Sequence, residues 1–275
     1  MDQIKRAIER AKASGVGASV EDRGKAELRP SVKMDVSATP VAAAQTLHVS
    51  QKQLELSRIV SHLPGSAAST SFDLLRTRVL QYMWGKGLSS LAITSPTSGC
   101  GKTVTSINLA FSMARLAGGH TVLVDLDLRK PQIAKYLDIQ PASDLFAVLH
   151  KKLALRDALV SLDVAGPGLS LLPTMSIADR SSELMASAEM KDLVKTLVEQ
   201  FDKNIVVFDM PPILIADDFI SFLPNVDAVL LVAAAGQSTE PELAECLRLI
   251  PESKLVGVVL TKSDEKQRSS YYGYA

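Results

Sequence analysis

"SPTSGCGKTVTSINLA", residues 95–110, has the pattern of a phosphate-binding loop that opens a helix. A short apolar run precedes it, and a segment with helical periodicity follows Lys102. A strand, a tight turn and a helix N-terminus together form a phosphate-binding device, because backbone N–H groups and the helix dipole converge on an anion. The pattern G-x-x-x-x-G-K-[ST] fails at its first position, where Pro96 stands. Proline suits that position if the chain leaves the strand with φ near −65°.

The loop predicts a nucleotide site with a metal ligand. We expect Lys102 to reach the β- and γ-phosphates and the Thr103 hydroxyl to bind Mg²⁺. Gly99 and Gly101 allow the backbone to turn with its N–H groups pointing inward. The predicted nucleotide-binding residues are Ser98, Gly99, Cys100, Gly101, Lys102, Thr103 and Val104.

Composition favours an ordinary globular protein. The chain has 275 residues, 47% of them hydrophobic and 22% charged, which suits one large domain with appendages or two small domains. A formal net charge of zero predicts no general attraction to nucleic acid or anionic membrane. Cys100 and Cys246 have no metal-type spacing, and this favours a reducing, cytosolic setting. The longest apolar run, around residues 226–235, is far shorter than the roughly 20 residues of a membrane span.

Six apolar segments alternate with helical ones along the chain. The strand candidates are residues 88–94, 121–126, 169–173, 204–210, 226–234 and 254–261. They are nearly continuous apolar runs, which is typical of parallel strands buried on both faces. We therefore predict a doubly wound α/β domain over residues 70–263, with a mainly parallel sheet and helices on both faces.

The N-terminal part predicts an arm. We expect a short helix and a flexible linker over residues 1–50, because most of this stretch is rich in Ala, Ser, Gly and Val without a period. A connecting helix and loop should follow over residues 51–69. Residues 72–84 have the spacing of the helix that opens the main domain. Residues 264–275 form a tail.

Acidic residues end two of the predicted strands. In TVLVDLDLRKP (121–131), Asp125 and Asp127 follow the strand at i and i+2, at the carboxyl edge where ligands of open α/β sheets collect. Two carboxylates there can hold Mg²⁺ and accept a proton from an attacking hydroxyl. In NIVVFDMPPIL (204–214), Asp209 ends an apolar strand as the metal-holding aspartate of P-loop NTPases does.

Tyrosines are concentrated at the end of the chain. Three of the five tyrosines lie in the final SSYYGYA: Tyr271, Tyr272 and Tyr274. Terminal residues are usually poorly ordered, and the surrounding Ser, Gly and Ala offer no core, so packing does not account for the cluster. A docked terminal strand is the alternative interpretation.

On these motifs the chain resembles the bacterial tyrosine kinases, also called polysaccharide-biosynthesis tyrosine autokinases, within the partition-type deviant P-loop ATPases. The resemblance covers roughly residues 70–275. It rests on VLVDLDLRKP, which matches D-x-D-x-R-x-P, on FDMPP, and on a phosphate loop that begins with Ser95-Pro96. The segment SLLPTMSIADRSSELMAS (170–187) is similar to the stretch that precedes the second acidic strand in that family.

The resemblance implies an ATP- and Mg²⁺-dependent kinase that transfers the γ-phosphoryl group to tail tyrosines of a neighbouring subunit. It implies a role in the synthesis and export of extracellular or capsular polysaccharide, and a homo-oligomer without a nucleic-acid partner. It also implies a membrane-anchored co-polymerase or adaptor whose cytoplasmic segment activates the kinase. Since this sequence shows no membrane segment, we expect a separate adaptor and a cytoplasmic kinase, peripheral at the inner face of the membrane.

The same resemblance assigns roles to individual residues. The catalytic set would be Asp125 as general base, Lys102 and Arg129. The metal ligands would be Thr103, Asp127 and Asp209. The phosphoacceptors would be Tyr271, Tyr272 and Tyr274. Asp125 and Asp127 are interchangeable in their two roles at this point.

Three departures from the family stand out. Cys100 replaces a common Glu, and it is either an oxidant-sensitive thiol or a tolerated small residue. Thr70, Asp73 and Arg76 occupy the positions of E-x-x-R-x-x-R, the subunit-contact motif, and only Arg76 matches. This weakens the case for a ring assembly. The tail is also short.

Two other functions remain open. A partition or septum-positioning ATPase of the same fold would hydrolyse ATP without phosphorylating tyrosine. Such enzymes carry an early lysine in K-G-G-x-G-K-T, and here Thr97 stands at that position. The tyrosine tail and the absence of an obvious basic stretch for DNA also count against that class. A non-catalytic, nucleotide-dependent assembly switch is the third hypothesis.

Overall fold

The structure is a computed structural model that describes residues 45–63, 65–116, 120–165, 168–199 and 205–263. Its described strands form one sheet in the order β1-β4-β5-β3-β6-β2-β7-β8. All neighbouring pairs are parallel except β4 and β5. The strands are β1 (Gln45–Leu47), β2 (Ser90–Thr94), β3 (Thr121–Asp125), β4 (Val160–Leu162), β5 (Leu169–Leu172), β6 (Ile205–Asp209), β7 (Ala228–Ala234) and β8 (Leu255–Thr261).

Helices cover both faces of this sheet. They are α1 (Gln51–Leu56), α2 (Ala67–Gly85), α3 (Lys102–Ala114), α4 (Ile133–Leu137), α5 (Leu145–Leu149), α6 (Leu155–Ala158), α7 (Ser181–Met185), α8 (Ala188–Glu199), α9 (Asp218–Phe222) and α10 (Glu240–Leu249). Short 3₁₀ turns occupy Asp163–Ala165 and Leu223–Asn225.

Burial explains why the central strands are apolar throughout. Every residue of β2, β3, β6 and β7 is buried. On one face the core includes Met83 of α2 and Phe111 of α3, and on the other it includes Leu197 of α8 and Phe222 of α9. The predicted doubly wound α/β fold is therefore confirmed. The six predicted strands are confirmed as well, with ends that agree to within two residues.

The linker prediction is wrong where it reaches residues 45–50. Gln45–Leu47 form β1, a parallel edge strand beside β4. The carboxylate of Asp163, just after β4, accepts a hydrogen bond of 3.1 Å from the backbone N–H of Val49 and pairs with His48. A strand of three residues has too few positions to show a period, so only its pairing reveals it. Residues 1–44 lie outside the described residues, including the predicted first helix.

The helix predicted over residues 72–84 is confirmed and is longer than expected. It begins at Ala67, because Ser66 is the N-cap and its hydroxyl accepts a hydrogen bond from the backbone N–H of Ser69 at 3.1 Å. The predicted connecting segment contributes α1. The tail, with its three tyrosines, lies outside the described residues.

No helix within the described ranges combines the length and apolar character that crossing a membrane requires.

Strand order places the predicted functional segments side by side. β6 lies between β3 and β2, so the acidic ends of β3 and β6 and the loop after β2 share the carboxyl edge of the sheet. Asp125 pairs with Asp209 in register, and Asp209 pairs with Ile93 on its other side. Segments that are about 30 to 115 residues apart in sequence thus meet at one edge.

Candidate active site

The loop between β2 and α3 has the backbone of an anion-binding turn. Gly99 and Gly101 adopt left-handed φ values of 81° and 90°, which side chains disfavour. Gly101 is the N-cap of α3 and provides no side-chain cap, so the first N–H groups of this 13-residue helix face the loop. No acidic side chain lies in the first turn. The turn therefore presents backbone donors and a helix dipole to a phosphate group.

Two side chains from distant segments support the outer side of this loop. The Thr261 hydroxyl donates to the carbonyl of Cys100 at 2.6 Å, and the Gln237 amide donates to the carbonyl of Ser98 at 2.7 Å. Both lie at the carboxyl edge, Thr261 at the end of β8 and Gln237 after β7. Neither was singled out from the sequence, because Thr and Gln in a turn carry no pattern of their own.

Lys102 lies at the centre of a buried charge cluster. Its Nζ is 2.8 Å from Asp127 Oδ2 and 3.6 Å from Asp209 Oδ2. Burial by itself lowers the pKa of Lys102, but the charges of Asp209 and Asp127 outweigh it and raise the pKa above its ordinary value. Lys102 is therefore charged and stabilises both neighbouring carboxylates.

Hydroxyl groups of α3 complete the surroundings of Asp209. The Thr103 hydroxyl donates to Asp209 Oδ2 at 2.7 Å, and the Ser106 hydroxyl donates to Oδ1 at 2.9 Å. Burial raises the pKa of Asp209, while Lys102 and the two hydroxyl groups act in the opposite direction. The structure thus brings together the predicted metal ligands Thr103, Asp127 and Asp209. Sequence reasoning missed Ser106, which lies one helical turn after Lys102.

The donor set suits a hard divalent cation. Magnesium is usually held by one or two carboxylates together with waters and substrate phosphates, rather than by a closed protein cage. The Lys102 ammonium group already occupies a cationic position between Asp127 and Asp209, beside the Thr103 hydroxyl. Within the described residues no cluster of three or more His, Cys, Asp or Glu side chains has metal-binding geometry.

Asp125 has a different role from its neighbour. It is fully buried, and both of its carboxylate oxygens accept backbone hydrogen bonds. Oδ2 accepts from the N–H groups of Gln132 at 3.0 Å and Ile133 at 2.9 Å, and Oδ1 accepts from Asp127 at 3.2 Å. Asp125 therefore shapes the turn after β3. Of the two aspartates, Asp127 lines the site cavity and Asp125 does not. The geometry therefore favours Asp127, rather than Asp125, as the general base.

Burial gives Asp125 a pH-dependent effect on stability. Burial first, and then the charge of Asp209, raise its pKa from 3.8 to about 8, although the Ile133 N–H and Lys102 lower it. A folded-state pKa above the unfolded value means that the folded state binds the proton more tightly. The contribution of Asp125 to the free energy of unfolding therefore falls as the pH rises from about 4 to about 8.

Urea unfolding between about pH 5 and pH 8 can show whether the Asp125 contribution to the free energy of unfolding falls with pH. The free energy of unfolding of the wild type should fall through Asp125 as the pH rises, whereas Asp125→Asn should not show this fall. The stability advantage of the wild type over the variant should therefore shrink with rising pH. A difference that grows with pH would contradict the assignment.

The loop opens onto a cavity of about 1150 Å³. Its polar side includes Lys102, Thr103 and Asp127. Its apolar side comes from α2, α3 and β8: Phe72, Leu75, Val104, Val259 and Leu260. A cavity with a few convergent polar groups and a mainly apolar wall is the usual form of a ligand site.

The connecting segment after α1 forms one wall of this cavity. Ser57, Arg58 and Val60 line it just after α1. Asn108 of α3 holds that segment, because its amide donates to the carbonyl of Arg58 at 3.0 Å and accepts from the N–H groups of Val60 and Ser61 at 2.8 and 3.0 Å. The segment predicted as a connection is therefore part of the site. Its irregular backbone carries no periodic signal that the sequence could show.

Six of the seven predicted nucleotide-binding residues line the cavity, and Cys100 does not. Its side chain is fully buried, and its thiol faces the hydroxyls of Ser238 at 3.5 Å and Thr97 at 3.7 Å. A larger side chain would meet these neighbours. The geometry favours the interpretation of Cys100 as a tolerated small residue.

Arg129 is half-exposed and lines the cavity. Its Nε donates to Asp218 Oδ2 at 2.6 Å, and its Nη2 lies 3.5 Å from Asp217 Oδ1. The predicted catalytic arginine is therefore in the site, and a carboxylate that the sequence did not indicate holds it.

The positions of the subunit-contact motif serve packing within the chain. Arg76 donates to the carbonyl of Ser112 at 3.0 Å and to Asp73 Oδ1 at 3.1 Å. Asp73 also accepts from the Ser112 hydroxyl and pairs with Arg115. This network joins α2 to the C-terminal end of α3, so the side chains of Asp73 and Arg76 are engaged within the domain.

A phosphate loop, carboxylates at neighbouring strand ends and a parallel sheet define a P-loop nucleotide-binding domain. Residues 91–272 match the family described as "CobQ/CobB/MinD/ParA nucleotide binding domain". The chain belongs to this family and, within it, to the bacterial tyrosine kinases, as the relatives below show.

The tyrosine-protein kinase YwqD of Bacillus subtilis is 30% identical over 214 residues, which cover 77% of this chain and 87% of YwqD. The succinoglycan biosynthesis transport protein ExoP of Rhizobium meliloti is 29% identical over 221 residues, 78% of this chain and 28% of ExoP. The crystal structure of the chimerical protein CapA2B2 superposes with a TM-score of 0.66 at 27% identity, covering 80% of this chain and 93% of that one. The resemblance found in the sequence is confirmed.

Proposed function

We propose that this chain is a cytoplasmic, ATP-dependent protein-tyrosine autokinase. It transfers the γ-phosphoryl group to the C-terminal tyrosines of a neighbouring subunit and thereby controls the synthesis and export of an extracellular or capsular polysaccharide. Membership of the bacterial tyrosine kinases supports the activity. The observation that carries the proposal is the cluster in which Lys102 joins Asp127 and Asp209 at the floor of an open cavity.

Each residue of the cluster has a role in phosphate binding. The N–H groups of the loop hold the phosphate oxygens, and Lys102 exchanges its carboxylate partners for the β- and γ-phosphates. Thr103 and Asp209 would hold Mg²⁺, which would neutralise charge on the phosphate oxygens. Lys102 Nζ lies beside both Asp127 and Asp209. When this ammonium group turns to the phosphates, a bound Mg²⁺ would replace its positive charge next to the carboxylates.

Asp127 accepts the proton of the incoming tyrosine. A bond forms between the phenolic oxygen and the γ-phosphorus, the bond between that phosphorus and the leaving oxygen of ADP breaks, and the phenolic proton passes to the carboxylate. Asp127 lines the cavity, whereas Asp125 is enclosed by backbone N–H groups. Asp125 supports this role by fixing the turn that carries Asp127.

The rim of the cavity suits an activating partner. Leu56 and Ile215 lie there with 71% and 61% of their surface exposed, and their apolar side chains favour cover by another chain. The partner would be the cytoplasmic segment of a membrane-anchored polysaccharide co-polymerase. It would bring the kinase to the inner face of the membrane as part of a homo-oligomeric assembly.

The fate of the γ-phosphate distinguishes a tyrosine kinase from a partition-type ATPase and from an assembly switch. Purified protein with Mg²⁺-ATP, alone and with an adaptor segment, should form phosphotyrosine in excess of free phosphate. Phosphate release without phosphotyrosine, with the adaptor segment present, would instead identify a partition-type ATPase. Nucleotide binding with neither product would identify an assembly switch.

A further inference from the structure

We propose that Asp218 is a positioning residue that orients Arg129 toward the transferring phosphate. This inference rests on the proposed kinase function. It assigns Asp218, the first residue of α9, a role in the reaction although its side chain does not line the cavity. Asp218 would act through Arg129, which does line it.

The burial of Asp218 requires an explanation. Its side chain is about 1% exposed, so its charge has left water almost completely. Only Oδ2 has a partner, the Nε of Arg129 at 2.6 Å, and Oδ1 has no hydrogen-bond partner among the described residues. A buried carboxylate with one unsatisfied oxygen destabilises a fold unless a cation compensates it. The Arg129 guanidinium group supplies that charge.

Asp218 does not serve the local backbone. An aspartate at a helix start usually accepts hydrogen bonds from the first N–H groups of the helix. Here the N-cap of α9 is Asp217, which makes no side-chain cap. Within the part of the chain that the structure describes, the Asp218 carboxylate accepts a hydrogen bond from Arg129 alone. A capping role therefore leaves its burial unexplained, and the ion pair accounts for it.

The contact holds the guanidinium group by one edge. Nε faces Asp218, and Nη2 lies 3.5 Å from the exposed Asp217, while Nη1 has no hydrogen bond within the described residues. Arg129 shares the cavity with Lys102 and Asp127. A guanidinium group fixed through Nε can direct its terminal nitrogens at phosphate oxygens. Because the side chain is already held in place, less side-chain entropy is lost when it binds the phosphate than for an unrestrained arginine.

The topology explains why these two residues meet. Arg129 follows β3 and Asp218 follows β6, and these strands are neighbours in the sheet. The Asp218–Arg129 pair therefore links the turn that carries Asp127 to the loop that follows Asp209. A displacement of a catalytic group by about 1 Å can slow a reaction by about 100-fold, so fixing this arginine has a kinetic consequence.

The test measures phosphotyrosine formation by the full chain as a function of ATP concentration. Asp218→Asn keeps the size of the side chain but removes its charge. We expect the maximal rate to fall by about 10- to 100-fold, whereas the ATP concentration for half-maximal rate stays within about twofold of the wild type. A rate equal to that of the wild type would overturn the proposal.

A double-mutant cycle separates positioning from a structural effect. Arg129→Lys keeps a positive charge next to Asp218 but lacks the planar fork, so this variant should fold and lose rate. If Asp218 acts through Arg129, adding Asp218→Asn to Arg129→Lys should change the rate by no more than about twofold. Losses that multiply would overturn the proposal.

Asp227→Asn is the matched structural control. This carboxylate lies at the opposite edge of the sheet and accepts from the N–H groups of Ser89 and Ser90 at 3.1 and 3.0 Å. The control should lower the melting temperature without changing the rate per folded molecule, and melting curves of all variants set the assay temperature. With the adaptor segment present, absence of phosphotyrosine in the wild type would overturn the proposed function, whereas wild-type transfer that Asp218→Asn leaves unchanged overturns only the role of Asp218.

Discussion

Replacing Lys102 with methionine should lower the rate of tyrosine phosphorylation by about 100- to 1000-fold, the range seen when one preorganised donor to a developing charge is removed. Lys102 is the cation at the floor of the cavity, next to Asp127 and Asp209. Without it, the phosphates lose a charged ligand. Phosphotyrosine formation with Mg²⁺-ATP measures the effect, and nucleotide affinity measured separately shows how much of it is binding.

The fold of this variant should survive, because Asp209 can take up a proton when its cation is removed. Burial already raises the pKa of Asp209, so the loss of its cation favours the protonated form further. The melting temperature should fall less at acidic pH than at neutral pH. Lys195→Met, at an exposed position of α8, is the control and should leave the rate of tyrosine phosphorylation and the melting temperature unchanged. Labelling of Lys102→Met within about threefold of the wild type would show that this loop is not the nucleotide site.

Asp209→Asn should also abolish transfer, with a loss of about 100-fold or more, but with little loss of stability. Asn cannot supply the negative charge that attracts Mg²⁺, so the Mg²⁺ dependence of nucleotide binding should weaken. Its amide can still form hydrogen bonds with the hydroxyls of Thr103 and Ser106, which surround both oxygens of Asp209.

The stability of this variant distinguishes a functional from a structural aspartate. A buried charge that burial disfavours can be replaced by a neutral isostere without a large change in the free energy of unfolding. Urea unfolding and Mg²⁺ titrations of nucleotide binding provide the two measurements. A variant that keeps full transfer, or that unfolds while Asp127→Asn does not, would contradict the assignment of Asp209 to the metal.

Local patterns in the sequence predicted the central sheet because its strands are buried on both faces. A continuous apolar run such as residues 204–210 shows this burial directly. β1 and β4 were missed because each has only three residues, which are too few to form such a run. The start of α2 was placed too late, because Ser66 acts as a cap only in the folded geometry.

The site was predictable to the extent that its residues follow strands or open a helix. Lys102, Asp127 and Asp209 occupy such positions, and Lys102 lies within contact distance of both aspartates. The residues that hold them in place, including Asn108, Thr261 and Asp218, come from other elements and depend on tertiary packing. Asp125 and Asp127 share a strand end in sequence, but only the path of the turn shows that one faces the backbone and the other the cavity.

The most direct test of the central claim is mass-spectrometric mapping of phosphate on the wild-type protein after incubation with Mg²⁺-ATP and an adaptor segment. We expect phosphate on Tyr271, Tyr272 or Tyr274, and none on the same peptide from Lys102→Met. A variant with phenylalanine at all three positions should bind nucleotide normally and carry no tail phosphate. Phosphate that appears only in solution, with these tyrosines unmodified, would contradict the proposed tyrosine autokinase activity.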